Sequence, residues 1–286
     1  MFNLLPNKTS KKINSTLAAF ACMLPLTQAA HATIVEFQTS QGNFQVNLFD
    51  QSTPKTVENF LTYVDSAHYT NSVVHRVAPG FVVQGGGYAF EGAWPLTALT
   101  SNAPVINEAI YSNVRGTIAM AKKGGDMNSA TNQWFFNLSD NSSNLDRQNG
   151  GFTAFGQVIG DGMTIVDKIS NLKLCNAGGL EGIPMVMDDA QKCADLNAPG
   201  IENFVVIEQV IVIDSSEVTD ADLTPLLTKF PDSDGDGVKD VDDAFPSDPN
   251  KYLPDAETPD DSGGSITWFT LGVLALASMR KRLFSK

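Results

Sequence analysis

Apolar and polar residues alternate over residues 33–37 and again over 44–49, and the polar stretch Ser40-Gln41-Gly42-Asn43 lies between them. A period of two marks a half-buried strand, so the spacing predicts a hairpin. The period then changes. Val57, Phe60, Leu61 and Val64 follow helical spacing after Thr53-Pro54, with Thr53 as N-cap and proline at the first helical position. Val73, Val74 and Val77 suit a strand, Pro79-Gly80 a turn, and Phe81-Val82-Val83 the returning strand. Further strands are expected over 114–121, 133–138, 152–159 and 204–213, and a short helix over 163–169. Residues 88–103 and 122–131 read as loops, rich in Gly and small polar residues. Many short strands and two helices predict an all-β chain: a closed antiparallel barrel capped at its ends.

One stretch carries candidate chemistry. Arg76 stands among valines, Gln84 follows eight positions later, and Gly85-Gly86-Gly87 comes next. If Arg76 and Gln84 share a sheet face, a planar donor fork lies beside an apolar patch around Phe81, an arrangement able to grip an amide. An exposed arginine on a plain hairpin is the alternative. No nucleophile with an adjacent base is legible, and the three histidines (31, 68 and 75) do not sit at metal-ligand spacing.

The run H-R-V-A-P-G-F-V-V-Q-G-G-G, residues 75–87, resembles the signature of the cyclophilin-type peptidyl-prolyl isomerases. Three later blocks resemble that family in order: R-G-T-I-A-M-A at 115–121, S-A-T-N-Q-W-F-F-N at 129–137, and N-L-D at 144–146 followed by F-T-A-F-G at 152–156. The likeness covers about residues 33–214 and is nearest to the periplasmic bacterial branch. It implies eight barrel strands and catalysis of X-Pro isomerisation without a cofactor. By position, Arg76, Gln84 and Phe81 would be catalytic. Val82, Phe135, Leu145 and Phe152, with Phe81, would line a proline pocket. The backbone at Ala121-Lys122, with Gln133, would hold the peptide. Three positions depart from the family pattern: Val82 for the usual Met, Lys122 for Asn, and Asn144 for the Trp of many eukaryotic members.

Charge sharpens the picture. The net charge is −13, yet both ends of the chain are basic and free of Asp and Glu. The middle is therefore strongly acidic, which repels nucleic-acid backbones and suits divalent cations. Residues 1–32 read as a secretory signal: Lys8, Lys11 and Lys12, a short apolar core, then Ala30-His31-Ala32 as cleavage site. An exported chain with two mature cysteines, Cys175 and Cys193, is expected to pair them. That would close an insertion at 173–203 and stabilise it by ~3 kcal/mol. Two free thiols are the alternative.

After a linker at 215–231, the segment 232–250 opens D-S-D-G-D-G-V-K-D-V-D-D. Asp232, Asp234, Asp236, Asp240 and Asp243 fall at positions 1, 3, 5, 9 and 12, with Gly at 6. That spacing wraps oxygen ligands round a hard cation and resembles a thrombospondin type 3 calcium repeat. A solvated acidic linker is the plainer reading. With a second linker at 251–262, an extended acidic stalk is expected. Residues 263–286 join Gly263-Gly264, an apolar run and Arg280-Lys281-Arg282. They resemble GlyGly-type C-terminal sorting signals, with a permanent tail anchor as the alternative. Together these features imply an exported monomer, periplasmic or at the cell surface. It would be membrane-associated through its tail, act on proline-containing polypeptides and hold Ca2+ outside the catalytic site.

Overall fold

The computed structural model describes residues 33–196, 198–216 and 223–252. The expected signal segment and the sorting or anchor segment lie outside the described residues. Strands β1 (Ile34–Thr39) and β2 (Phe44–Leu48) form the expected hairpin, followed by helix α1 (Pro54–Asp65). Next come β3 (Ser72–Val73), β4 (Arg76–Ala78), β5 (Val82–Gly85), β6 (Tyr88–Ala89) and β7 (Thr97–Ala98). Then follow β8 (Thr117–Met120), β9 (Trp134–Asn137), the short helix α2 (Ser142–Leu145), β10 (Ala154–Val158) and α3 (Met163–Ser170). Strands β11 (Lys173–Ala177), β12 (Leu180–Met185) and β13 (Val206–Asp214) complete the set.

Eleven strands share one sheet in the order β4-β5-β9-β8-β10-β2-β1-β13-β3-β6-β7. The fold is thus mostly β, a curled sheet with few helices. It differs from the expected eight strands because the stretch from Ser72 to Ala78 is broken. Its first half pairs with β13 and its second with β5, while Val74 N donates to Val205 O and His75 N to Gln84 O. Two further short strands, β6 and β7, sit where a loop was expected.

Alternation along the strands decides what faces the core. On β9, Trp134 and Phe136 point into the main core and Phe135 to the other face. Likewise Val83 faces inward and Val82 outward on β5, and Ile118 and Met120 inward and Ala119 outward on β8. A strand has a period of two, so each contributes to both sets. Inside, Phe37 meets Phe44, Trp134 and Phe136 at ring-centroid distances of 5.1–5.4 Å, mostly edge to face. Helix α1 adds Val57, Phe60 and Val64, and α3 adds Val166 and Ile169. The side chain that caps α1 is not that of Thr53, whose hydroxyl instead donates to Phe49 O. Glu108 receives Lys55 N and Thr56 N, and its carboxylate suits the positive helix N-terminus.

The 173–203 insertion holds a hairpin that the sequence reading missed, β11 with β12, turned at Gly178-Gly179 with φ of 59° and 82°. A Gly-Gly pair with positive φ is a favoured two-residue hairpin turn. Cys175 and Cys193 form a disulfide with Cα atoms 5.5 Å apart. The second correction concerns the acidic segment. Residues 223–252 fold back on the sheet domain rather than extending from it. Tyr111 pairs with Leu227, Ser112 N donates to Leu226 O, and Thr228 N donates to Ile110 O. Backbone groups of Leu226, Leu227 and Thr228 make the contact, while the Leu226 and Leu227 side chains stay exposed.

Candidate active site

The face opposite the core carries the candidate site. Arg76 on β4 lies directly across from Gln84 on β5, and Gln84 across from Phe135 on β9. Arg76 Nη1 donates to Gln84 Oε1 at 3.3 Å, and Gln84 Nε2 donates to Gln133 Oε1 at 2.9 Å. Among the described residues no carboxylate lies within ion-pair distance of Arg76, so its half-exposed guanidinium keeps donors to offer. Val82, Ala119, Phe135, Leu145 and Ala154 form an apolar cluster, with Phe81, Ala121 and Phe152 packed against it. The Phe135 and Phe152 rings meet edge to face at 5.8 Å.

The three glycines are explained by close approach. A Cβ on Gly85 would meet the Trp134 ring at 2.5 Å, and one on Gly87 would meet the Gln133 side chain at 2.6 Å. Gly86 has φ of 81°, and a Cβ there would come within 2.5 Å of Asn132 O. Glycine therefore lets Gln133 lie over the sheet edge and reach Gln84.

The pocket's loops are set by buried amides that the sequence reading gave no role. Asp146 Oδ1 accepts from Asn113 N and Nδ2, and Asn113 Nδ2 also reaches Phe152 O at 2.9 Å. Phe152 N donates to Leu145 O at 2.9 Å, tying together two residues expected to line the pocket. Asn137 and Asn141 extend the network, and Asn141 Nδ2 holds Phe81 O at 2.9 Å. Asp146 belongs to a block already singled out for its resemblance; nothing in its spacing marked a loop-holding role. His75, beside Arg76, is buried, and burial, with the Arg76 charge in support, lowers its pKa to about 4. It is neutral near pH 7 and has its ring 4.8 Å from Tyr88.

Two placements differ from a simple peptide-holding edge. Ala121 N is already bonded to Gln133 O. The Lys122 side chain turns inward, with Nζ donating to Asn107 Oδ1, Asn149 O and Gly151 O at 3.1, 2.7 and 2.6 Å. Burial and the nearby Lys239 charge pull its pKa down to about 7, against the Asp126 charge, which raises it. Gln84, Ala121, Lys122, Thr131 and Gln133 border a polar hollow next to the apolar cluster.

Residues 34–186 match the family described as cyclophilin type peptidyl-prolyl cis-trans isomerase/CLD. The chain belongs to this family. Curated relatives agree. Peptidyl-prolyl cis-trans isomerase A of Dickeya dadantii is 39% identical over 173 residues, covering 59% of this chain and 87% of that protein. Peptidyl-prolyl cis-trans isomerase B of Escherichia coli is 38% identical over 157 residues, 53% of this chain and 92% of the relative. Among solved structures, a cyclophilin-type isomerase of Cryptosporidium parvum aligns at 22% identity with a TM-score of 0.45, over 65% of this chain and 99% of that one. The same protein was also solved in the presence of the dipeptide Ala-Pro. Cyclophilin-type isomerases need no cofactor, and the chain is an enzyme of this kind. The matched span ends before β13 and before the acidic segment.

The expected calcium ligands are only partly brought together. Carboxylate oxygens of Asp232, Asp234 and Asp236 lie within 4.8 Å of one another. Asp240 instead accepts from Ser233 N and Oγ at 2.7 and 2.6 Å. Asp243 lies outside that group and receives Phe245 N at 2.8 Å.

Proposed function

We propose that this cyclophilin-type isomerase acts on X-Pro bonds of exported polypeptides by stabilising the twisted amide through Arg76. The amide's resonance raises a barrier of ~18–20 kcal/mol. As the bond twists, the lone pair localises on the proline nitrogen and becomes an acceptor. A donor fork beside it then binds the transition state more tightly than the ground state, which is what lowers the barrier. The observation that carries this reading is the cross-strand Arg76–Gln84 pair beside the Phe81, Val82, Phe135, Leu145 and Phe152 cluster. Gln84, held in turn by Gln133, orients the guanidinium. The ring of proline suits the apolar wall, and the polar hollow at Ala121 and Gln133 suits the preceding peptide. Residues 72–78, bonded on one side to β13 and on the other to β5, support reading the curled sheet as an eight-stranded barrel closed along that seam.

The test is an NMR exchange or protease-coupled measurement on an Ala-Pro peptide. Arg76→Ala, folded by circular dichroism, should lose ~10²–10³-fold in kcat/KM, the scale for losing one preorganised donor. At saturating peptide, chelator and reductant should leave the exchange rate of folded protein unchanged. A folded Arg76→Ala with near-wild-type kcat/KM would break the mechanism. An inactive wild type would favour a proline-peptide binding module.

Three further readings belong to the same proposal. Export is supported by the Cys175–Cys193 disulfide, which persists in oxidising compartments. It is also supported by Thr33, whose N and Oγ1 both donate to Asp50: cleavage after Ala32 would set the new ammonium beside a carboxylate. Membrane association is read from residues 263–286 alone. Calcium at the acidic repeat is supported by the Asp232, Asp234 and Asp236 group, and by buried carboxylate oxygens of Asp234, Asp236 and Asp243 that carry no hydrogen bond. Such oxygens suit a hard cation.

A further inference from the structure

The turn before Phe152 has an unusual backbone. Asn149, Gly150 and Gly151 have φ of 55°, 71° and 73°, a run that Asn and Gly tolerate best. Its three carbonyl oxygens accept hydrogen bonds from lysine side chains. Lys122 Nζ reaches Asn149 O and Gly151 O, and Lys239 Nζ reaches Gly150 O at 2.9 Å. Asn107 Nδ2 shares Gly150 O at 2.8 Å. Lys122 comes from the sheet domain. Lys239 comes from the acidic repeat, 89 residues along the chain from Gly150, and only 4% of it is exposed.

The same stretch of chain touches the loop twice more. Thr228 Oγ1 donates to Asp146 Oδ2 at 3.1 Å, and the Arg147 guanidinium lies 5.0 Å from the centre of the Phe230 ring. These contacts fall on residues 146, 147 and 150, between the pocket residues Leu145 and Phe152. Lys122 Nζ is itself 4.9 Å from the centre of the Phe152 ring. The loop that presents Phe152 is therefore held from one side by the sheet domain and from the other by the C-terminal segment.

We propose that Lys239 is a positioning residue for the isomerase site: together with Lys122 it holds the 149–151 turn, and through it Phe152, so that the acidic repeat completes the proline pocket. The proposal rests on the reading of Phe152 as a pocket wall. A wall that touches proline in both ground and transition states sets binding more than turnover. Loss of Lys239 is therefore felt in peptide affinity, and loss of Arg76 in the rate of the bound peptide.

The test uses the full chain and an Ala-Pro peptide, with Kd from NMR chemical-shift titration and the exchange rate from the same samples. Lys239→Met should weaken Kd by about 3- to 10-fold, the scale of one hydrogen bond, and change the bound exchange rate by less than about twofold. Phe230→Ala, which loosens the segment without touching Lys239, should weaken Kd in the same direction. It carries the test if Lys239→Met fails to fold by near-UV circular dichroism. An active wild type with unchanged Kd in the folded variants overturns the positioning role alone. A wild type that binds without exchange, and binds more weakly as Lys239→Met, overturns the catalytic reading and keeps the positioning role.

Discussion

Arg76 offers donors in a planar fork, and Gln84 holds one arm of it at 3.3 Å. An ammonium is a point charge without that geometry, so Arg76→Lys should recover little of the activity lost in Arg76→Ala. Its neighbour His75 makes a separate prediction. His75 is 3% exposed, and its Nδ1 has no hydrogen-bond partner. Burial holds its pKa at about 4, against about 6.5 in an unfolded chain. Between those values the unfolded state takes up a proton that the folded state refuses. Stability should therefore fall as pH drops from about 6.5 towards 4, by at most about 1.4 kcal/mol per pH unit from this group. Urea unfolding at pH 7 and pH 5 measures it, and His75→Gln should flatten the dependence. An equal slope in both proteins would assign the effect elsewhere.

At the scale of elements, motif spacing and cross-strand register agree. Eight positions separate Arg76 from Gln84 because two strands meet across the Pro79-Gly80 turn, which places the two residues opposite each other. W-F-F at 134–136 is uniformly apolar; only the strand's alternation sends Phe135 to the candidate site and its neighbours to the core. The hairpin β11–β12 leaves a trace in Gly178-Gly179, but its flanking residues alternate too weakly to mark two strands. The acidic repeat was legible as a ligand pattern. In the structure, three carboxylates converge and Asp240 is occupied by Ser233. Calorimetry on the full chain should show calcium binding that Asp236→Ala weakens. No heat at millimolar calcium would leave the segment an acidic docking arm without a bound ion.

At the scale of the whole molecule, the chain joins a family domain to segments that the family match does not cover. Export would cut it after Ala32 and oxidise Cys175 and Cys193. Intact-mass analysis of protein from the native host should find a chain beginning at Thr33 and lighter by the two hydrogens of one disulfide. Loss of mass C-terminal to Gly263-Gly264 would mark sorting, and retention of residues 266–286 a tail anchor. The sequence by itself determined the family, the strand-rich class, the Arg76–Gln84 spacing and the calcium-like spacing. Each of these is a local pattern: a period, a turn or a set of short intervals. What only the tertiary structure decided is long-range. Glu108 caps α1 from more than fifty residues away, Asn113 and Asp146 join across 33 residues, and Lys239 reaches Gly150 across 89 residues. A buried ammonium and a lone turn carbonyl leave no periodic trace in a chain. They meet because burying each polar group demands a partner, and the fold alone determines which one is near.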